Sequence, residues 1–339
     1  MIANTFGLAA TADHYFEYAT VGALQQFIAR RRAEGKRTPL FHMGGGSNLL
    51  FAGHYAGTVL HSRIAGITVT AEEGDDVYVR VGAGVEWDAW VQYAIDSRWH
   101  GLENLSAIPG EVGASAVQNI GAYGVEACDA IIYVDTVDLH TGEVRHFTAA
   151  ECRYAYRDSI FKQELRGRYA VTHVHFRLSH SFRPQLSYGG LRAALQERGL
   201  DEVNLRPSEL RHTIMGLRAA KLPDPRVLGN AGSFFKNPVV DRQQIDHIRS
   251  KAGQEPPCYD VDAAHVKVPA AWLIEQCGWK GRALGPAAVY DRQALVLINL
   301  GHATGSDILR LCRAIQADVR SRFGIAIEPE VNIVGEEQG

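Results

Sequence analysis

A chain of 339 residues is long for one hydrophobic core, so two or three domains are expected, with length enough to enclose a ligand site. The net charge of −3 comes with no basic run beyond Arg30-Arg31-Arg32, which reads as the solvated end of a helix and argues against a nucleic-acid partner. Five scattered cysteines (Cys128, Cys152, Cys258, Cys277, Cys312) contain no CxxC pair, against both a disulfide framework and a structural zinc site. No basic leader with a long apolar stretch is seen, and no run reaches the roughly eighteen apolar residues of a membrane span; a soluble, cytoplasmic protein with reduced thiols is expected.

Asn4-Thr5-Phe6-Gly7 reads as a turn, and apolar residues at helical spacing from Val21 to Glu34 predict a helix. A strand over Pro39–Met43 then enters Gly44-Gly45-Gly46-Ser47-Asn48. Successive glycines can aim several backbone N–H groups at one phosphate, with Ser47 and Asn48 adding donors; the alternative is a tight turn, since neither common nucleotide fingerprint matches. Strands are predicted over 58–60, 66–70 and 77–81, then an amphipathic helix over Val85–Asp96 whose Trp87 and Trp90 read as packing.

The run from Gly101 to Gly124 combines five glycines with Ile108, Val112, Val117 and Ile120. Its small residues either make room for a large flat ligand, with Ser115, Gln118 and Asn119 as polar contacts, or form a closely packed buried loop. A hairpin is predicted from Ile131–Leu139 and Glu143–Thr148. Arg157, between Tyr156 and Asp158, is either a carboxylate clamp or a surface partner of Asp158. Alternation over Tyr169–Leu178 sends Val171, Phe176 and Leu178 towards the core and sets His173 and His175 on one side; with no third ligand nearby in sequence, no metal site is expected.

A short helix over Leu191–Arg198 is followed by a polar joint at 202–207, read as a domain boundary, and by a helix from Ser208 to Ala220. Gly229-Asn230-Ala231-Gly232-Ser233-Phe234-Phe235-Lys236-Asn237-Pro238 is the densest stretch: Ser233 is expected at the tip of a tight turn, walled from water by Phe234 and Phe235 beside Lys236 and Asn237, unless the phenylalanines simply plug the core. Helices are predicted over 243–252 and from Ser306, the expected cap, along Ile308, Leu311, Ile315, Val319 and Phe323 to Gly324. A last strand over Ile325–Val334 would set Glu328 and Glu330 on one side.

In this order, Asn4–Gly7, Gly44–Asn48, the Gly101–Glu126 run, Tyr156–Phe161, Lys221-Leu222-Pro223-Asp224-Pro225, Gly229–Pro238 and Glu328-Pro329-Glu330-Val331 make the chain resemble the UDP-N-acetylenolpyruvoylglucosamine reductase family along nearly its whole length. Tyr188-Gly189-Gly190-Leu191 is similar to the tyrosine loop of the family's longer type. Where the family pattern reads Gly-Gly-Ala-Ala-Val-His and Ser-Ala-Gly, this chain has Gly285-Pro286-Ala287-Ala288-Val289-Tyr290 and Val268-Pro269-Ala270.

The resemblance implies an α+β protein: an FAD-binding fold of the vanillyl-alcohol-oxidase (PCMH) type in two subdomains, 1–67 and 68–207. A substrate-binding domain, 208–339, would follow, its last strand returning towards the flavin. It implies a monomer in which NADPH reduces FAD and the flavin reduces UDP-N-acetylglucosamine-enolpyruvate. Ser233 would give a proton to C2 while Arg157 and Glu330 polarise the carboxylate. Tyr188, Arg218, Lys221, Asn237 and Lys280 would bind substrate. FAD would be held by Gly44, Gly45, Gly46, Ser47, Asn48, Ile108, Pro109, Gly110, Gly113, Ala114, Ser115, Gln118, Asn119, Gly121, Ala122 and Tyr123. A flavoprotein oxidase on the same scaffold and a non-catalytic nucleotide-sugar sensor are the competing readings.

Overall fold

In the computed structural model, which describes residues 1–335, the chain divides into two compact units. The central unit comprises Ala12–Gly45 and Ala56–Ala220, and the terminal unit joins Met1–Thr11, Gly46–Tyr55 and the segment from Lys221 onward.

In the central unit, helix α1 (Val21–Ala33) starts where Thr20 accepts the Ala23 N–H at 3.1 Å and ends on Arg30, Arg31 and Arg32, cations beside its carbonyl end. Leu24 and Ile28 are its buried side. The main sheet has five antiparallel strands in the order Val144–Thr148, Ile131–Asp138, Tyr169–Ser179, Asp76–Gly82 and Ile67–Glu73. Val171, Phe176 and Leu178 share one core cluster, which strict alternation forbids; a register shift between Val171 and His173 changes the phase and allows it. Helix α2 (Trp87–Asp96) buries both tryptophans in that cluster, and the Trp87 indole N–H donates to the Leu105 carbonyl at 2.9 Å.

The Gly101–Gly124 run is not all loop, because Val112–Gln118 forms helix α3. Its small residues serve close packing. A Cβ on Gly113 would lie 2.7 Å from the Ala83 Cβ, and the Gly113 N–H donates to the Ala83 carbonyl at 2.9 Å. Helices α4 (Leu191–Glu197) and α5 (Pro207–Lys221) bury Leu191, Leu195, Leu210 and Ile214 in a small cluster of their own.

The polar joint at 202–207 is therefore the entry to α5 within the central unit, and the passage to the terminal unit comes at Ala220–Lys221. The physical tie is Arg211, 6% exposed, which forks onto Asp88 of α2 with bonds of 2.6 and 2.9 Å.

The terminal unit contains α6 (Gln244–Ala252), α7 (Ala270–Gln276) and α8 (Gly305–Phe323). One sheet runs Asn230–Ser233, Val296–Asn299, Ala287–Val289, Ala283–Leu284, and another Val239–Asp241, His265–Lys267, Tyr259–Asp260. The predicted stripe of α8 is buried and Gly324 closes it at φ 69°. Its cap, however, is Thr304: Thr304 and Asp307 form a reciprocal capping box, whereas the Ser306 hydroxyl donates to the Ala52 carbonyl at 3.2 Å.

The final strand is shorter than expected. Only Asn332–Val334 joins a ladder, parallel to Leu49–Phe51, while the residues before it make a single bridge, Phe235 to Pro329, and the chain bends at Glu330 and Val331. Burial still alternates over much of the segment: Ile325, Ile327 and Val331 are buried, Glu328 is exposed and Glu330 half-buried.

Removing Arg211 would leave the half-buried Asp88 with the Ala107 N–H, 2.6 Å away, and the nearby charge of Arg218 for support. Arg211→Ala should lower unfolding stability by about 3 kcal/mol in urea. Burial opposes ionisation of Asp88, but the Arg211 and Ala107 bonds win and hold its carboxyl below the ordinary 3.8. A depressed carboxyl stabilises the fold above that value, and the contribution disappears as pH falls below it. Stability curves at decreasing pH should show this loss, and Asp88→Asn should flatten it.

Candidate active site

In the terminal unit, Ser233 is not the tip of a turn. It ends the strand Asn230–Ser233, paired with Val296, just after Gly232 at φ 70° and an irregularity in register. Phe234 and Phe235 are fully buried in the core, where Phe234 meets Phe6 edge-on at 6.3 Å, so they anchor the serine rather than wall its hydroxyl.

The chain returning through Pro329 runs antiparallel beside this stretch. The Glu330 N–H donates to the Phe234 carbonyl at 2.7 Å and the Lys236 N–H to the Glu328 carbonyl at 2.9 Å. Asn48 joins the group, its amide donating to the Glu330 carbonyl at 3.3 Å. Three predicted residues more than 280 positions apart at the extremes thus converge in one unit.

Of three other predicted residues in the terminal unit, one carries a structural bond and two are exposed. The Asn237 side-chain oxygen accepts the Ala270 N–H at 2.9 Å, capping α7. Lys280 is an exposed partner of Glu275 at 2.9 Å, and Lys221 is exposed at the end of α5.

In the central unit, Arg157 occupies the tip of a two-residue hairpin closed by mutual bonds between Ala155 and Asp158 of 3.1 and 3.0 Å. Its φ of 55° lies in the left-handed region, at a cost of about 1 kcal/mol. The guanidinium donates to the Gly121 carbonyl and, at 3.4 Å, to that of Asn119, and lies 5.2 Å from the Tyr156 ring centre. A Cβ on Gly121 would come within 2.8 Å of the Arg157 Nη1, so a larger residue there would displace the guanidinium. The Asp158 carboxylate accepts from the Ser159 N–H and from Gln163.

Arg218 donates to the Ala107 carbonyl at 3.1 Å; burial lowers its pKa, and the charge of Arg157 nearby adds to the effect. Burial raises the Tyr123 pKa against the pull of Arg218, and its ring meets that of Tyr188 edge-on at 5.5 Å. Arg157, Arg218, Tyr123 and the half-exposed Tyr188 therefore form a cationic, aromatic group suited to an anion.

The predicted cofactor segments divide by exposure. Gly44, Gly45, Ser47, Ile108, Gly110, Ala114, Gly121 and Ala122 are half-buried and Pro109 is exposed, so main chain with few or small side chains is open to a ligand. Gly46 is closed off, its would-be Cβ 2.4 Å from the Ala3 carbonyl. Ser115, Gln118 and Asn119 turn inward: Ser115 donates to Val112, the Gln118 oxygen accepts from Lys162, and Asn119 bonds Ala155, Glu126 and Cys128. Sequence spacing carried no sign of this, because their partners lie up to 44 residues away.

Glu111 was also missed. It is buried under Gly44 and Gly45 with His61 at 2.9 Å, and an acid inside an apolar Gly-rich run was the available signal. His173 and His175 do share a side, facing Asp135, which also binds His146 and Arg80. No group of three or more His, Cys, Asp or Glu suited to a metal ion exists among the described residues.

A family model described as an FAD binding domain matches residues 12–148, and one described as the UDP-N-acetylenolpyruvoylglucosamine reductase C-terminal domain matches residues 224–334. Over 331 residues the chain is 52% identical to a UDP-N-acetylenolpyruvoylglucosamine reductase of Bacteroides fragilis, covering 98% of this chain and 97% of the relative. The chain belongs to the UDP-N-acetylenolpyruvoylglucosamine reductase family. A reductase of this family from Burkholderia vietnamiensis is 48% identical over 328 residues, 96% of this chain and 93% of its own. The crystal structure of the Thermus caldophilus reductase aligns over 98% of this chain and 95% of its own with a TM-score of 0.65; at 23% identity this likeness concerns the fold. The expected α+β architecture, with an FAD-binding part and a C-terminal part characteristic of the reductase family, is what these matches describe.

Two glycines of the serine motif separate space from strain. A Cβ on Gly229 would sit 2.1 Å from the Phe6 carbonyl oxygen, whereas one on Gly232 meets nothing within 4 Å but suffers φ 70°. Gly229→Ala should cost about 3 kcal/mol and Gly232→Ala about 1 kcal/mol in denaturant unfolding.

Proposed function

We propose that this member of the reductase family reduces the enolpyruvyl group of UDP-N-acetylglucosamine-enolpyruvate to give UDP-N-acetylmuramate, with NADPH as electron source, in peptidoglycan precursor synthesis. The observation that carries this reading is identity of about half, sustained over nearly the full length of reductases of that name. FAD held by the Gly-rich segments would supply the hydride-transfer chemistry that couples NADPH to the enolpyruvyl group.

The donor set suits such a dinucleotide. The partly exposed main chain of Gly44, Gly45 and Gly110 lets phosphates approach backbone N–H groups, Ser47 and Asn48 add polar side chains, and Ile108, Pro109, Ala114, Ala122 and Tyr123 offer surface for a flat ring. Gly46, Gly113, Ser115, Gln118 and Asn119 shape these segments from behind, and the half-buried Gly121 adds main chain to the open face.

Arg157 and Glu330 hold and polarise the substrate carboxylate. Ser233 gives a proton to C2. The Glu330 N–H bond to the Phe234 carbonyl supports this pairing, since it sets Glu330 opposite the residue that follows Ser233. Arg218, Tyr188, Lys221, Asn237 and Lys280 serve the nucleotide-sugar portion. Asn237, whose oxygen caps α7, would present its N–H₂. We place the protein in the cytoplasm as a monomer; its five cysteines are free thiols, and no helix among the described residues is long and apolar enough to cross a membrane.

Anaerobic titration with NADPH should bleach the visible flavin band, and addition of the enolpyruvyl nucleotide sugar should restore it. A protein that takes up no FAD would overturn the reading, and bleaching that only oxygen reverses would point to an oxidase. Ser233→Ala should slow the restoring half-reaction by about 10² to 10⁴ and leave reduction by NADPH nearly unchanged. Equal slowing of both would refute the assigned proton donor.

A further inference from the structure

Arg157 stands at a left-handed φ on the tip of a short hairpin, an arrangement that persists only where surrounding bonds over-determine it. Those bonds come from the end of α3. Asn119 donates to the Ala155 carbonyl at 2.9 Å, and the Ser159 hydroxyl donates to the Val117 carbonyl at 2.6 Å. Beyond the hairpin, in the 3-10 turn Ile160–Lys162, the Lys162 ammonium donates to the Arg157 carbonyl at 2.8 Å and to the Gln118 side-chain oxygen at 2.6 Å. It reaches these groups past the carbonyl end of a helix, where a cation is favoured.

These bonds form a closed circuit. Lys162 grips the main chain of Arg157 from one side, while the Arg157 guanidinium grips the Gly121 and Asn119 carbonyls from the other. The direction of the guanidinium follows in part from the backbone angles of its own residue, and the Lys162 ammonium fixes that residue's carbonyl.

We infer that Lys162 is a positioning residue: its two hydrogen bonds lock the strained Arg157 backbone to α3 and so aim the guanidinium at the substrate carboxylate. The inference rests on the reading that Arg157 binds that carboxylate. Neither Lys162 nor its bonds take part in proton or hydride transfer. A displacement of about 1 Å in such a group can cost 10²-fold in rate.

The test is a double-mutant cycle on the FAD-loaded protein, reading the rate at which the enolpyruvyl nucleotide sugar reoxidises reduced flavin. A second readout is the substrate Kd, from the change it causes in the oxidised flavin spectrum. Lys162→Met should slow reoxidation and weaken substrate binding by about 10- to 100-fold, and Lys162→Arg, which keeps donors in place, should recover most of the loss. In an Arg157→Met background the same change should have little further effect. If Lys162→Met causes an equal loss in both backgrounds, or none where Arg157→Met is impaired, the inference is overturned while the role of Arg157 stands. An unimpaired Arg157→Met sinks the reading of Arg157 and the inference with it. Should Lys162→Met fail to retain flavin, Lys162→Gln, which keeps a polar group beside Gln118, is carried through the same cycle.

Discussion

The terminal unit depends on the burial of Phe6 against the strand that leads to Ser233. Phe6 is fully buried, its ring meets Phe234, and its carbonyl accepts from the Asn299 amide at 3.0 Å. Gly229 is bare because that carbonyl occupies the space of its Cβ, and the Thr5 carbonyl accepts the Asn230 N–H at 3.0 Å. A segment from the start of the chain is thereby a structural part of the motif more than 220 residues later. The same wedge closes on Gly46, whose carbonyl takes the Thr5 N–H. Three distant stretches form one unit because each supplies backbone partners that the others lack.

This wedge determines what the serine motif can do. With both phenylalanines drawn into the core, the only freedom left to Ser233 is that of a strand end beside a left-handed glycine. The returning chain then has one way to satisfy its backbone, by pairing with Phe234 and Lys236, and that pairing delivers Glu330. In the central unit, by contrast, the key group is held under strain. Arg157 offsets the strain of its left-handed backbone through bonds to Gly121, Asn119 and Lys162.

Many elements were legible along the chain because their causes are local. Helix α1 has its Thr20 cap and terminal arginines, α8 its five-residue apolar stripe and Gly324, and the 131–148 hairpin its paired alternating runs. The errors have equally physical origins. Thr304 rather than Ser306 caps α8 because Asp307 lies three residues after Thr304 and completes a reciprocal box. Val171 escaped the alternation rule through a bulge that composition does not reveal. The strand expected over 325–334 is paired as a ladder only at its end, because the chain bends at Glu330 and Val331 and only Asn332–Val334 finds a neighbour in Leu49–Phe51. The contact division lies at Ala220–Lys221 rather than at the polar joint 202–207, and α5 is tied to α2 by the Arg211–Asp88 ion pair, 123 residues apart.

The order of its glycine, aromatic and polar motifs was enough, by itself, to determine the family of this protein and hence its flavin chemistry, because those motifs meet local demands of backbone angle and close approach. The inward turn of Ser115, Gln118 and Asn119, the anchoring of Phe234 and Phe235, and the union of Asn48 with Glu330 were decided only by the tertiary structure. A hydrogen bond is won by whichever partner the fold brings within about 3 Å, and side-chain type specifies the capacity to bond without specifying the partner.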